Sequence, residues 1–161
     1  MKTLLLMRHA KSSWKQKDLP DIERPLSSRG EKDAPAMGRL LRKKELVPDL
    51  IIASPAVRAR LTAKVVAEKS HYEKDILFID KLYMAETPEV LGALTSLPDE
   101  VNSVLLIGHN PWLEYTLQLL TGKIQSLPTA TIAYISLPVD HWSELNGDTR
   151  GELEKVWRPK D

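Results

Sequence analysis

Cysteine is absent from the 161 residues, and with it go disulfides, thiolate nucleophiles and cysteine metal sites. That absence suits a reducing compartment. A charge excess of either sign is also missing. The chain has 23 basic and 22 acidic side chains, for a net charge of +1, so no overall field draws it onto nucleic acid or an anionic membrane. Any anion-binding surface has to be local. Long apolar runs are missing too. The first is Leu4, Leu5, Leu6 and Met7, interrupted by Arg8 and His9. It is shorter than the ~7–15 residues of a signal-peptide core and far shorter than the ~20 of a membrane-spanning helix. The expectation is a cytoplasmic protein with neither a nucleic-acid nor a membrane partner.

What is present is the composition of an ordinary globular chain, 42% hydrophobic and 28% charged, in the length range of one domain covering residues 1–161. No internal repeat, low-complexity segment or interdomain linker divides it. Lys15-Gln16-Lys17 and Arg42-Lys43-Lys44 are charge clusters too short for a nucleic-acid footprint and read as solvated faces.

Short apolar runs alternate with amphipathic stretches. Residues 3–7, 50–53, 76–79 and 103–107 are apolar almost throughout, as strands covered on both faces are, and 131–137 and 152–157 are two further candidates. Between them, Ala34, Met37, Leu40 and Leu41 give residues 31–46 one apolar helical face, with Ser27 or Ser28 as cap. A second helix starts near Pro55, and residues 88–97 form a third. Asn110-Pro111 predicts a fourth, with asparagine as cap and proline in the first turn, ended by Gly122. Strand alternating with helix implies an α/β sandwich with a mostly parallel central sheet flanked by helices. The turn-rich stretch 138–150 lets the last strands reverse direction.

Three of the runs deliver polar or cationic residues at their carboxyl ends. Residues 4–7 lead into Arg8-His9, residues 50–53 into Ser54-Pro55 with Arg58 just beyond, and residues 104–108 into His109. Ligands of parallel α/β sheets bind outside the carboxyl ends of the strands, so two arginines and two histidines can converge there. Such a cluster needs an anion to balance it. Phosphate fits the paired donors of arginine, and a neutral imidazole beside it is a competent nucleophile.

These residues also resemble a known family. Leu6-Met7-Arg8-His9-Ala10-Lys11-Ser12-Ser13-Trp14 resembles the opening motif of the histidine phosphatase superfamily in the form found in SixA-like phosphohistidine phosphatases. Ser54-Pro55-Ala56-Val57-Arg58 is similar to the family's second arginine motif, and Ile107-Gly108-His109-Asn110-Pro111 to its second histidine motif. The segment from Asp21 through Arg24-Pro25 to Gly30 is similar to the stretch that precedes the first helix in SixA-like proteins. The resemblance implies a three-layer, phosphoglycerate mutase-like sandwich and a phosphoenzyme mechanism. In it His9 attacks phosphorus, Arg8, Arg58 and His109 hold the equatorial oxygens, and water then releases phosphate. No cofactor and no metal are implied.

Two candidates stay open between roles. Glu86 is the candidate general acid and equally the cap of the helix at 88–97. Ser12 either reaches the phosphate or stabilises a turn. The modest loops joining the motifs suit an open site, which favours a phosphohistidine-bearing protein as partner and substrate. A small phosphomonoester is the alternative substrate. A phosphate-binding or interaction module without catalysis is the alternative outside enzymology.

Overall fold

The computed structural model describes residues 1–160. Strand β1 (Lys2–Arg8) shows how the alternation builds the layers. Leu4 and Leu6 project to one face and Leu5 and Met7 to the other, and all four are completely buried. A strand buried on both faces has to lie inside a sheet covered by helices on each side.

The remaining strands are β2 (Leu50–Ala53), β3 (Ile76–Phe78), β4 (Ser103–Gly108), β5 (Ile132–Leu137) and β6 (Glu152–Trp157). They form one six-stranded sheet in the order β3-β2-β4-β1-β5-β6. The pairs β3–β2, β2–β4 and β4–β1 are parallel. The expected reversal falls at β5, which is antiparallel to both of its neighbours.

Helices α1 (Ser28–Lys43) and α2 (Val57–Ser70) cover the face that carries Leu5 and Met7, through Ala34, Met37, Leu41, Ala59, Ala63 and Val66. Helices α3 (Thr87–Thr95) and α4 (Trp112–Thr121) cover the face with Leu4 and Leu6, through Val90, Leu94, Leu113 and Leu117, beside the buried Trp142. The fold is the mostly parallel three-layer α/β sandwich that the sequence implies. No helix among the described residues is long and apolar enough to cross a membrane.

Helix starts depart from the sequence expectations in instructive ways. Ser27, one of the two serines offered as caps, accepts from Gly30 N at 3.2 Å, so α1 begins three residues earlier than 31. Pro55 stands outside α2, because Ala56 is extended at ψ 139° and its N–H goes to Ser54 Oγ at 3.2 Å. Asn110 does not cap α4; Pro111 does. The Asn110 amide is committed sideways, donating to Glu114 Oε2 at 2.8 Å and to Leu127 O at 3.0 Å. Gly122 ends that helix in the left-handed conformation at φ +74°, as its sequence position implies.

The start of α1 packs against the segment that follows β1. Lys11 O accepts from Ser27 N and from Ser27 Oγ, and a β-carbon on Gly30 would lie 2.2 Å from that same oxygen. Gly30→Ala is therefore expected to destabilise by about 1–3 kcal/mol through overpacking against backbone, lowering the melting temperature by roughly 2–4 °C per kcal/mol. In contrast, Gly92 lies inside α3, where a β-carbon would meet nothing within 4 Å, so Gly92→Ala is expected to raise stability by up to about 1 kcal/mol. Paired thermal melts of the two variants check both signs.

Candidate active site

Strands β2, β4 and β1 lie side by side, with Arg8 in register with Gly108 and Ala53 with Ile107. Their parallel carboxyl ends thus open onto one place, and a cavity of about 440 Å³ lies there. The sequence motifs meet in it: Arg8, His9, Ser12, Arg58 and His109 all line the wall.

His9 is fixed from both sides by backbone. Its N–H continues the ladder to Gly108 O at 3.0 Å, and its carbonyl accepts from Ala130 N at 3.1 Å. The following amide, Ala10 N, donates to Thr62 Oγ1 at 3.0 Å, and that hydroxyl donates to Arg58 O at 2.7 Å. The turn that carries His9 is thereby tied to the first turns of α2. The ring itself meets Ala10 O through Nδ1 at 2.7 Å. A carbonyl only accepts, so Nδ1 holds the proton and Nε2 keeps its lone pair.

His109 stands beside it, the two ring centroids 5.1 Å apart and tilted by 53°. Its Nε2 is 2.7 Å from Ser54 Oγ. That oxygen also accepts from Ala56 N, so the Ser54 hydroxyl links the start of α2 to the His109 ring. Burial pushes the pKa of His9 down to about 4, with Arg58 and Arg8 adding to the fall against the bond to Ala10 O. Burial likewise pushes His109 down to about 3, with His9 and Arg58 next in effect. Both imidazoles are neutral at pH 7.

Burial also lowers the pKa of Arg8, opposed by the carboxylate of Glu114, and Arg8 NH1 donates to Leu127 O at 3.3 Å. Glu114 Oε2 accepts from both Asn110 Nδ2 and Leu127 N, each at 2.8 Å, and so clamps the segment before β5 to the start of α4. Arg58 donates from NH1 to Asp21 O at 2.8 Å and from NH2 to Asp21 Oδ2 at 3.0 Å. The Nε atoms of Arg8 and Arg58 are buried with no partner.

Several wall residues carry no role in the sequence reading. Asp21, in a single 3-10 turn over Asp21–Glu23, accepts from Arg24 Nε at 3.0 Å and from Tyr83 Oη at 2.6 Å as well as from Arg58. The hydrogen bond from Tyr83, ahead of those from Arg24 and Arg58, holds its pKa at about 2. Arg24 is buried, donates to Ser12 Oγ at 2.6 Å and has its guanidinium carbon 3.5 Å from the ring centroid of Trp14. Ser12 thus faces the cavity with its hydroxyl engaged by Arg24. Asp21 and Arg24 share a three-residue spacing that places them on one side of a turn, a signal present in the sequence. Tyr83 carries no such signal, whereas Ser54, which the sequence places at the end of the second apolar run, meets the ring of His109.

Glu86 is not brought to the cavity. It is exposed and precedes α3, where its N–H donates to Glu89 Oε1 at 3.1 Å and its carbonyl accepts from Val90 N. The neighbouring Tyr83 and Met84 line the wall in its place. Among the described residues, no group of three or more His, Cys, Asp or Glu is placed to hold a metal ion.

Comparison with known proteins agrees with this geometry. Residues 4–81 match the family model described as histidine phosphatase superfamily, branch 1. A chloroplastic protein of Arabidopsis thaliana, itself uncharacterized, is 32% identical over 169 residues, which cover 97% of this chain and 77% of its own length. Among solved structures, a protein of Agrobacterium tumefaciens provisionally assigned as the phosphohistidine phosphatase SixA superposes with a TM-score of 0.84 at 28% identity, covering 98% of each chain. One from Nakamurella multipartitia with the same provisional assignment gives 0.86 at 26% identity, covering 98% of this chain and 96% of its own.

The lowered histidine pKa values make stability depend on pH. An unfolded histidine takes up its proton near 6.5, whereas His9 and His109 take theirs only near 4 and 3. Between those values the unfolded chain binds more protons, so stability falls as the pH falls. The urea midpoint is expected to drop between pH 7 and pH 5, a range in which ordinary carboxylates contribute little, and to drop less in His109→Asn. A wild-type midpoint that is flat over this range would contradict the assignment of two buried neutral imidazoles.

Proposed function

Because the chain belongs to the histidine phosphatase superfamily and is a phosphatase, we propose that it hydrolyses phosphohistidine on a partner protein through a phosphoryl intermediate on His9. The state of His9 carries this reading. Its Nδ1 proton is held by Ala10 O, its pKa is about 4, and it lines the open cavity, so a lone pair is available on Nε2 at neutral pH with no base required.

The remaining wall residues suit an oxyanion. Arg8 and Arg58 bring positive charge and two Nε–H groups that have no partner among the described residues, and His109 brings a neutral imidazole. A phosphoryl group would supply the acceptors that those groups need. Such donors, aimed before the reaction at oxygens on which charge spreads, are the main contribution a protein makes to phosphoryl transfer. In this scheme His9 Nε2 displaces the leaving group in line, and water then attacks phospho-His9 to release phosphate and restore the neutral ring.

Two features favour a protein over a small molecule. The cavity mouth bears Trp14 and Met84, 71% and 83% exposed, which present apolar surface to whatever approaches. Asp21, the one carboxyl group on the wall among the described residues, is ionised and therefore unable to give a proton to an alkoxide. A P–N bond to imidazole breaks without that help, since the leaving ring can carry its own proton.

Incubation of the protein with a histidine-phosphorylated phosphotransfer domain is expected to release inorganic phosphate through an acid-labile phosphoenzyme. His9→Ala should lower kcat/KM by at least about 10³-fold, and Arg58→Ala by about 10²–10³-fold. Efficient turnover of p-nitrophenyl phosphate with no action on phosphohistidine would overturn the substrate assignment.

A further inference from the structure

Asp21 is the sole acidic side chain among the described residues that line the cavity, and the scheme above gives it no part. Its two oxygens are unequally engaged. Oδ2 accepts from Arg58 NH2 at 3.0 Å and from Tyr83 Oη at 2.6 Å, whereas Oδ1 accepts only from Arg24 Nε at 3.0 Å. A carboxylate oxygen has two acceptor directions, so Oδ1 retains one. The side chain is 48% exposed, which leaves that direction open to a substrate.

We infer that the Asp21 carboxylate receives the leaving group, accepting a hydrogen bond from the ring N–H of the departing imidazole and so favouring P–N over P–O bonds. This rests on the phosphohistidine reading of the site. The chemistry balances without any proton transfer. The substrate ring is phosphorylated on one nitrogen and protonated on the other, and so carries a positive charge. The lone pair of His9 Nε2 forms the new N–P bond. The old P–N bond breaks, its electron pair returns to the leaving nitrogen, and the ring departs neutral with its proton in place. The positive charge passes to phospho-His9, whose Nδ1–H remains on Ala10 O. The two rings exchange states, with Ala10 O holding the N–H of the entering ring and Asp21 Oδ1 that of the leaving one.

The same carboxylate opposes ester cleavage. An alkoxide leaving group develops negative charge and needs a proton. Asp21 cannot donate one while Tyr83, Arg24 and Arg58 hold it ionised, and a carboxylate beside a growing negative charge raises its energy. The other charged or titratable groups on the wall are Lys11, Arg8, His9 and His109, none of them acidic, so among the described wall residues Asp21 alone offers an anionic acceptor. A purely structural alternative is that Asp21 orients Arg58, to which it is bonded through both carbonyl and carboxylate.

Asp21→Asn keeps the shape and removes the charge. The experiment compares wild type and variant on a phosphohistidine peptide and on p-nitrophenyl phosphate between pH 5 and 9. The ratio of kcat/KM for phosphohistidine to that for the ester is expected to fall about tenfold or more, as for loss of a hydrogen bond to a charged group. The alkaline limb of kcat on phosphohistidine should move about one unit lower, because the carboxylate no longer holds the proton on the substrate ring. Asp21→Glu, which keeps the charge, should retain more of the ratio than Asp21→Asn; if Asp21→Asn melts early, this comparison and its pH limb decide instead. Equal losses on both substrates with an unmoved limb would overturn the inference in favour of Arg58 orientation, and a larger loss on the ester would overturn it in favour of a proton donor. A wild-type protein that cleaves the ester but not phosphohistidine would remove the substrate reading itself, an outcome visible before any variant is made.

Discussion

Positive charge crowded against buried imidazoles at one end of the sheet is the constraint on which the rest of the site depends. Arg8, Arg58 and Arg24 line the same wall as two histidines, and a buried imidazole beside guanidinium groups is driven to its neutral form. Burial, reinforced by Arg58 and Arg8, keeps His9 neutral, the state that the proposed attack on phosphorus requires. The hydrogen bond from Tyr83, with those from Arg24 and Arg58 behind it, acts on Asp21 in the opposite sense and holds it ionised. Burial, the Tyr83 hydrogen bond and the arginine charges together therefore set the protonation states of His9, His109 and Asp21.

Holding like charges together requires a scaffold that does not relax. It comes from adjacent strand ends and from small side chains that bridge elements: Thr62 between the His9 turn and α2, Ser54 between α2 and His109, and Glu114 between α4 and the segment before β5. These groups are neutral or distant from the reaction, and each satisfies backbone or ring atoms that burial would otherwise leave unpaired. The supports are hydrogen-bonded through, and within the site Asp21 adds ion pairs to Arg24 and Arg58.

Much of this was legible in the sequence, for definable reasons. Apolar runs ending in Arg8-His9, Ser54 and His109 report strand ends directly, since strands buried on both faces leave an unmistakable pattern and their polar termini stand out. That the three ends would lie side by side followed from a parallel sheet. Side-chain partnerships were less visible. Asp21 and Arg24 belong to a turn with no apolar periodicity, and Tyr83 reaches Asp21 across 62 residues, a distance no local pattern encodes. Glu86 drew notice as an acid near a motif, but it is exposed and stands at the N-cap of α3 in a capping box with Glu89, the other role that the sequence offers for it. Asn110 looked like a cap until its amide proved committed to Glu114 and Leu127.

The position of β4 between β1 and β2 bears on how the molecule comes into being. While the chain is synthesised, the segments that carry Arg8, His9 and Arg58 emerge first, yet they cannot pair with one another, because a gap one strand wide separates their places in the sheet. Residues 103–108 must leave the ribosome before that gap closes, and the segment that supplies Ala130 N follows later still. Pairing over such sequence separations comes late and slowly. A nascent chain thus carries His9 for most of its synthesis without the neighbouring strand and the Ala130 amide that fix it in the folded protein.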